Sequence, residues 1–313
     1  TPGRATGWDD TPIRPVAADR NVRRFPYLCR NAAPLPRQAG QPPENMNTPP
    51  VILAIAGSDP SGGAGIQADL KTMTMMRTFG MSVITALTAQ NGLGVTGIHA
   101  PEPEFVALQL NTVLEGFPVN AAKTGMMFNS GIINAVADIL DAQAFPLVVD
   151  PVCVSTSGHK LMEDDGIATL RERLMPRADL FTPNRPEAEL FSCMTIKTED
   201  DIIEAGERLL KSGARAVLMK GGHCEGNPVF VTDWLLEKGC EPVALRQPHV
   251  DTQNSHGTGC TLSAGIAAQL ALGMPLRVAV TKAQEFLNLA LRHSFAPGKG
   301  HGPCNHMAAL MQR

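Results

Sequence analysis

From residue 51 onward the chain alternates between short aliphatic, β-branched runs and longer runs whose apolar positions recur at helical spacing. Strands are predicted at 51–56, 81–88, 119–122, 146–150, 179–181, 215–220, 228–233 and 242–246. Helices are predicted near 64–78, 103–115, 130–141, 163–173, 186–191, 199–212, 258–272 and 276–293. Strand, helix and strand in succession bury their apolar faces together when the strands run parallel and helices cover both sides. The expected fold class is therefore α/β, a three-layer α/β/α sandwich around a mostly parallel central sheet. The stretch 228–246 reads as an antiparallel hairpin late in that sheet. With no internal repeat and no second boundary in view, residues 47–313 are expected to form one domain.

Composition narrows the partners. The chain has 313 residues, 43% of them apolar, enough for a substantial core. Residues 1–46 differ, with seven Arg, no Lys, four acidic side chains, many Pro and no apolar periodicity. Of the 27 basic and 30 acidic residues in the whole chain, that leaves twenty basic against twenty-six acidic, a body whose sign excludes nucleic acid as the expected partner. Met46 stands just before the first strand. Residues 1–46 are accordingly expected to be a disordered leader, vector-derived or mis-started, with an organelle-targeting peptide as the alternative. Seven cysteines, an odd number without regular spacing or a Cys-x-x-Cys pair, point to a reducing, cytoplasmic setting and away from a thiolate metal site. No run of eighteen apolar residues exists, so no membrane partner is expected.

In such a sheet the ligand groups come from strand C-terminal ends. Those positions hold Gly57, Ser58 and Asp59; Gln90 and Asn91; Lys123, Thr124 and Gly125; Asp150; Asn184 and Glu187; and Lys220, Gly221 and Gly222. Ser58-Asp59-Pro60-Ser61-Gly62-Gly63-Ala64-Gly65 joins the first strand to the first helix, and His256-Gly257-Thr258-Gly259-Cys260 opens a small-residue helix. Glycine lets backbone approach an oxyanion, and a helix N-terminus attracts one. The bland alternative is a glycine turn before a buried helix; the Walker pattern is absent. Thr258 is expected to cap that helix. Cys260 on its first turn is expected to have a lowered thiol pKa, able to take a proton from a hydroxyl or to orient it, the alternative being a small buried residue. Asp150 with Asn184-x-x-Glu187 offers oxygen ligands for Mg²⁺, while Asn184-Arg185-Pro186-Glu187 also reads as a plain helix start. Lys123 and Lys220 are each candidates to meet phosphate. His256, His301 and His306 read as solvent-facing or capping residues, with Cys/His acyl transfer a weak further option for His256 and Cys260.

Eight segments in order, SDPSGGAGIQADLKT, TALTAQN, AKTGM, DPV, TPNRPEAE, MKGGH, SHGTGCTLSAGIAA and GHGPCNH, resemble the hydroxymethylpyrimidine and phosphomethylpyrimidine kinases of thiamine biosynthesis. Those enzymes belong to the ribokinase-like superfamily, and the resemblance spans approximately residues 50–307. It implies two successive ATP-dependent phosphorylations of 4-amino-5-hydroxymethyl-2-methylpyrimidine, with Mg²⁺, in a homodimer. It implies that Gln90 reads the pyrimidine nitrogen and amine, with Gly57, Asp69, Met126 and Val152 completing the pocket. Gly257, Thr258, Gly259 and Cys260 would form the anion hole, Cys260 standing where the wider superfamily has aspartate. Asp150 and Glu187 would manage magnesium, and Lys123, Asn184, Lys220 and Gly222 would lie near the nucleotide. Cys304 and Gly92 depart from the family's usual apolar residue and Thr. The nearest rival is a pyridoxal or pyridoxine kinase of the same superfamily; a non-catalytic ligand sensor is a rival of another class.

Overall fold

A computed structural model describes residues 48–154, 160–221 and 229–311. The predicted leader and Gly222 lie outside the described residues. Nine strands form one sheet: β1 (Val51–Ser58), β2 (Phe79–Asn91), β3 (Gly94–His99), β4 (Ala121–Thr124), β5 (Leu147–Val149), β6 (Leu180–Phe181), β7 (Ala216–Met219), β8 (Phe230–Glu237) and β9 (Val243–Pro248). Their order across the sheet is β3-β2-β1-β4-β5-β6-β7-β8-β9. The strands from β2 to β7 run parallel, whereas β3 at one edge and β8 and β9 at the other pair antiparallel. The hairpin expected at 228–246 is β8 and β9. β3 was not predicted; it turns back on the end of β2 through Gly92 and Leu93.

Eight helices flank the sheet among the described residues: α1 (Gly65–Met75), α2 (Pro103–Gly116), α3 (Ser130–Leu140), α4 (Asp164–Thr169), α5 (Arg185–Ser192), α6 (Glu199–Lys211), α7 (Thr258–Ala271) and α8 (Leu276–Arg292). The helix predicted at 163–173 is α4 running into a π turn at Leu170–Leu174.

β1 shows why the layers form. Every residue from Val51 to Gly57 is buried, and alternate side chains leave opposite faces of a strand. Val51, Leu53 and Ile55 join the core made with α2, α3, α5 and α6, including Leu110, Ile133, Phe191 and Leu209. Ile52 and Ala54 join the other core, with Met73 of α1, Ile266 of α7 and Val280 of α8. The sheet is thus sandwiched, as the alternating pattern requires.

Two features of this arrangement place a site. The chain moves outward from β1 to β2 and then returns to β4 on the other side of β1, so the crossovers diverge there and leave a crevice at the strand C-terminal ends. α7 is buried along Thr261–Gln269, and small residues let it lie close: a Cβ on Gly265 would stand 3.1 Å from Ala283 Cβ and from Met76 Cε. Its N-terminus therefore opens beside the crevice.

Candidate active site

The crevice holds a cavity of about 650 Å³. Following the strand order, Gln90 of β2, Gly57 at the end of β1, Met126 after β4 and Val152 after β5 line it first. Asp150, Asn184, Glu187 and Lys220 follow, facing Gly257–Cys260 at the start of α7. Beyond them come Val231, Asp233, Leu262, Gln284 and Leu287.

The glycines of α7's entry are there because backbone meets backbone. Gly257 has φ +82°, and a Cβ there would fall 1.8 Å from Gly63 O. Gly65 has φ +57°, and its Cβ would fall 2.4 Å from Gly57 O. Only glycine accommodates both the positive φ and the contact. Gly257 itself is the N-cap, without any side-chain cap, and Thr258 N–H donates back to Ser255 O at 3.3 Å. The expected capping role of Thr258 is thus not realised, because the left-handed glycine already turns the chain into the helix. The N–H groups of Gly257, Gly259 and Cys260 have no acceptor among the described residues. Three open donors at the positive end of a helix can receive an anion.

Opposite these donors stands a charged cluster. Asp150 Oδ1 accepts from Lys220 Nζ at 3.0 Å and Oδ2 from Ser263 Oγ at 3.2 Å. Glu187 closes a capping box on α5: Asn184 N–H donates to its Oε2 at 2.9 Å, and Glu187 N–H donates to Asn184 Oδ1 at 2.9 Å. Its other oxygen accepts from Cys153 N–H at 3.1 Å. The helix-start reading of Asn184 and Glu187 therefore holds, and it leaves the carboxylate facing the cavity, 4.0 Å from Lys220 Nζ. Burial raises the Glu187 pKa, with Asp150 adding to the shift and Lys220 opposing it. Burial acts to lower the Lys220 pKa, but Asp150 and Glu187 together raise it and keep the ammonium charged. A Cβ on Gly259 would lie 3.5 Å from Asp150 Oδ2 and 3.6 Å from Lys220 Nζ, so cluster and helix end share one space.

No group of three or more His, Cys, Asp and Glu among the described residues converges to cage a metal. Two carboxylates beside an anion hole do fit Mg²⁺, which commonly takes one or two carboxylates and fills its shell with water and phosphate oxygens.

Two expected contacts lie behind the wall. Lys123 and Asp69 are fully buried and paired, Nζ standing 2.9 Å from both carboxylate oxygens, and neither lines the cavity. The Lys123 ammonium is thus committed to Asp69, not open to phosphate, and Asp69 is one layer removed from the pocket surface. Burial lifts Asp69 to about 6 despite the lysine; for Lys123, burial is outweighed by Asp69, Cys260 and Asp150, and its pKa rises. At neutral pH both are charged.

Cys260 is also corrected. Burial pushes its thiol up to about 11, Asp69 and Asp150 adding to the rise, while Lys123 and the backbone of Gly65 work the other way. The helix-end effect that was expected to lower it loses to desolvation and two nearby carboxylates. The group presented to the cavity is a thiol, suited to orienting a hydroxyl.

At the β2 end, Gln90 lies within the strand, two residues beyond its predicted end. The Thr88 hydroxyl lies 2.9 Å from Ser58 O and 3.1 Å from Gln90 Oε1, and its one hydrogen can be donated to either. A Cβ on Gly57 would lie 3.0 Å from Met126 Sδ, so that glycine makes room for the methionine. Val152 has φ +42°, a strained value for a β-branched residue, and sits on an apolar wall with Ala86, Met126 and Leu161.

His256 and His306, expected to face solvent or cap a helix, are instead buried: His256 meets Asp59 Oδ2 at 2.8 Å across 197 residues, and His306 Nε2 lies 2.9 Å from Thr261 Oγ1. Sequence reasoning did not single out Asp233, which accepts from Gly221 N–H and from Gln284 Nε2, each at 2.7 Å. Its only signal was a polar residue at a predicted strand end.

A family model described as phosphomethylpyrimidine kinase matches residues 59–305. The chain belongs to that family. The hydroxymethylpyrimidine/phosphomethylpyrimidine kinase of Bacillus subtilis is 44% identical over 257 residues, covering 82% of this chain and 94% of the relative. The thiamine biosynthesis bifunctional protein ThiED of Geobacter sulfurreducens is 45% identical over 260 residues, 82% of this chain, which spans about half (52%) of that longer protein. Among solved structures, the ADP complex of Bacillus subtilis pyridoxal kinase superposes with a TM-score of 0.77 at 35% identity, covering 84% of this chain and 100% of that one. As a phosphomethylpyrimidine kinase family member the protein has the α/β sandwich and parallel sheet expected of the ribokinase-like superfamily. Cys153, Cys193, Cys240, Cys260 and Cys304 are unpaired, and no helix among the described residues is long and apolar enough to cross a membrane.

Proposed function

We propose that this family member uses ATP to phosphorylate 4-amino-5-hydroxymethyl-2-methylpyrimidine, and then phosphorylates the monophosphate to the diphosphate, supplying the pyrimidine half of thiamine. The observation that carries the reading is the open N–H donors at Gly257, Gly259 and Cys260 facing Asp150 and Lys220, with Gln90 and Met126 along the same cavity. Gln90 offers both a donor and an acceptor, which suits the edge of an aminopyrimidine, and Met126 gives adaptable apolar contact to its ring. Gly57 and Val152 flank the ring, and Asp69 stiffens the pocket from behind through Lys123. In each step an oxygen of the pyrimidine substrate attacks the terminal phosphorus of ATP in line. The amides at the head of α7 receive the charge on the phosphoryl oxygens without having to reorganise, and most of the acceleration comes from that and from positioning. Cys260 orients the hydroxyl in the first step; in the second the nucleophile is already anionic. Lys220 and Asn184 lie toward the nucleotide, with Gly222 assigned there by family pattern alone. Asp150 and Glu187 are the residues that would hold Mg²⁺, which neutralises phosphate charge when bound.

A vitamin B6 alcohol is the second reading, carried by the likeness to a pyridoxal kinase. The proposal extends to residues 47–313 acting as one domain in the cytoplasm, and to a homodimer, supported by exposed Phe79, Phe105, Leu108 and Phe117 on β2 and α2 or beside them. Sedimentation tests the dimer. A coupled ADP assay, run separately with hydroxymethylpyrimidine, its monophosphate and pyridoxal, tests the activity. ADP release with both pyrimidines is expected; release with pyridoxal alone, or with none of the three, overturns the pyrimidine reading.

A further inference from the structure

The anion hole is not framed by α7 alone. Asp59, 2% exposed, accepts four hydrogen bonds: from Ser61 N–H at 2.9 Å, and at 2.8 Å each from Ser61 Oγ, Ala64 N–H and His256 Nε2. Burial opposes its ionisation, yet His256 and the Ser61 and Ala64 donors hold its pKa below the ordinary value. An ionised carboxylate only accepts, so His256 donates through Nε2. On the other side, His256 N–H donates to Gly302 O at 3.1 Å.

Around this bond the two glycine-bearing segments touch with almost nothing else between them. A Cβ on Gly63 would fall 2.5 Å from His256 Cδ2, and one on Gly257 would meet Gly63 O. The loop from Asp59 to Gly65 therefore sets where the α7 entry stands, and the Asp59–His256 bond is the one side-chain tie directly between them among the described residues. His256 also separates the main cavity from a second one of about 290 Å³ under Gly92 and Gly302. A polar tie kept in such a wall has no role in the chemistry assigned above.

We propose that Asp59 and His256 are positioning residues for phosphoryl transfer: their bond locks the 59–65 loop onto 256–260 and so holds the α7 amides and the Cys260 thiol in register with the reacting oxygen. This rests on the kinase reading. A displacement of about 1 Å at such donors costs on the order of 100-fold in rate. It acts on the transition state more than on ground-state binding.

The test uses the full chain with His256→Ala, His256→Gln, Asp59→Asn and the His256→Ala/Asp59→Asn double variant, with thermal melts to count folded protein. Expected for His256→Ala is a kcat lower by roughly 30- to 100-fold per folded molecule, with KM for pyrimidine and ATP within about threefold. His256→Gln, whose amide can donate to the same carboxylate, recovers most of the loss, and the double variant is no worse than the worse single one. A separate readout needs no substrate: alkylation of Cys260 by iodoacetamide, followed by peptide mass spectrometry with exposed Cys193 as internal reference, speeds up several-fold in His256→Ala. A raised KM with unchanged kcat, additive losses in the double variant, unchanged Cys260 labelling, or losses that track only the folded fraction would each overturn the positioning role. If wild type turns over no pyrimidine, the substrate reading fails while the labelling arm still decides the tie.

Discussion

Replacing Gly257 with alanine places a methyl group where the structure has 1.8 Å to Gly63 O and 2.8 Å to Gly63 C. Ordinary contact begins near 3.4 Å, so the two loops must part by about 1.5 Å. Alanine at φ +82° adds a backbone cost of roughly 1–2 kcal/mol, and the overlap adds about 1–3 kcal/mol as the loops shift. The sum, about 2–5 kcal/mol, corresponds to a melting temperature lower by roughly 4–10 °C for a chain of this size. Because the displaced backbone carries the anion hole, kcat should fall about 100-fold. Gly239 supplies the control: its φ is +80°, nearly the same, but nothing lies within 4 Å of a Cβ there. Gly239→Ala should lose only the backbone share, roughly 1–2 kcal/mol, and keep its activity. Differential scanning fluorimetry and steady-state kinetics on the pair separate conformation from contact. Equal melting shifts, with wild-type kcat in Gly257→Ala, would refute the claim that backbone contact shapes the site.

Asp69→Asn leaves Lys123 buried without its counter-charge and should cost about 3–5 kcal/mol, measured by chemical denaturation; Asp69→Leu with Lys123→Met should cost less, and the reverse order contradicts an isolated ion pair. With the thiol at about 11, Cys260 alkylation should rise roughly tenfold per pH unit from pH 7 to 9, since each unit multiplies the thiolate; a plateau within that range contradicts the raised pKa. Cys260→Ala should slow the first phosphorylation much more than the second, whose nucleophile carries its own charge, and equal losses in separate assays sink that role. Gln90→Leu should raise KM for the pyrimidine about 10- to 100-fold and leave KM for ATP unchanged, so an unaltered pyrimidine KM removes Gln90 from recognition.

Much of the architecture was readable because β1, β5 and β7 are largely continuous apolar runs between amphipathic helices. β3 was not, because Gly94 and Gly97 interrupt its apolar pattern and one side faces solvent. Gly92–Gly97 also matches Gly-x-Gly-x-x-Gly, yet it turns a hairpin and enters β3 instead of opening a helix, so the string carries no nucleotide fingerprint. The site's backbone was legible at Gly57, Gly257 and Gly259, where glycine marks a turn or a close approach. Side-chain commitments were not. Lys123 looks like any strand-end lysine until Asp69, 54 residues earlier, is seen to take its charge. Cys260 carries the helix-end signature of an activated thiol, but burial raises its pKa, and the carboxylates that add to the rise come from α1 and the end of β5. Such effects depend on distance through space, which spacing along the chain does not encode.

The tie between Asp59 and His256 spans 197 positions, and His256 N–H leans in turn on Gly302 near the last described turn. Contacts that distant carry a large loop-closure cost and depend on segments far apart in the chain all being present. A nascent chain stopped before α7 can therefore contain all nine strands and still have no phosphate seat.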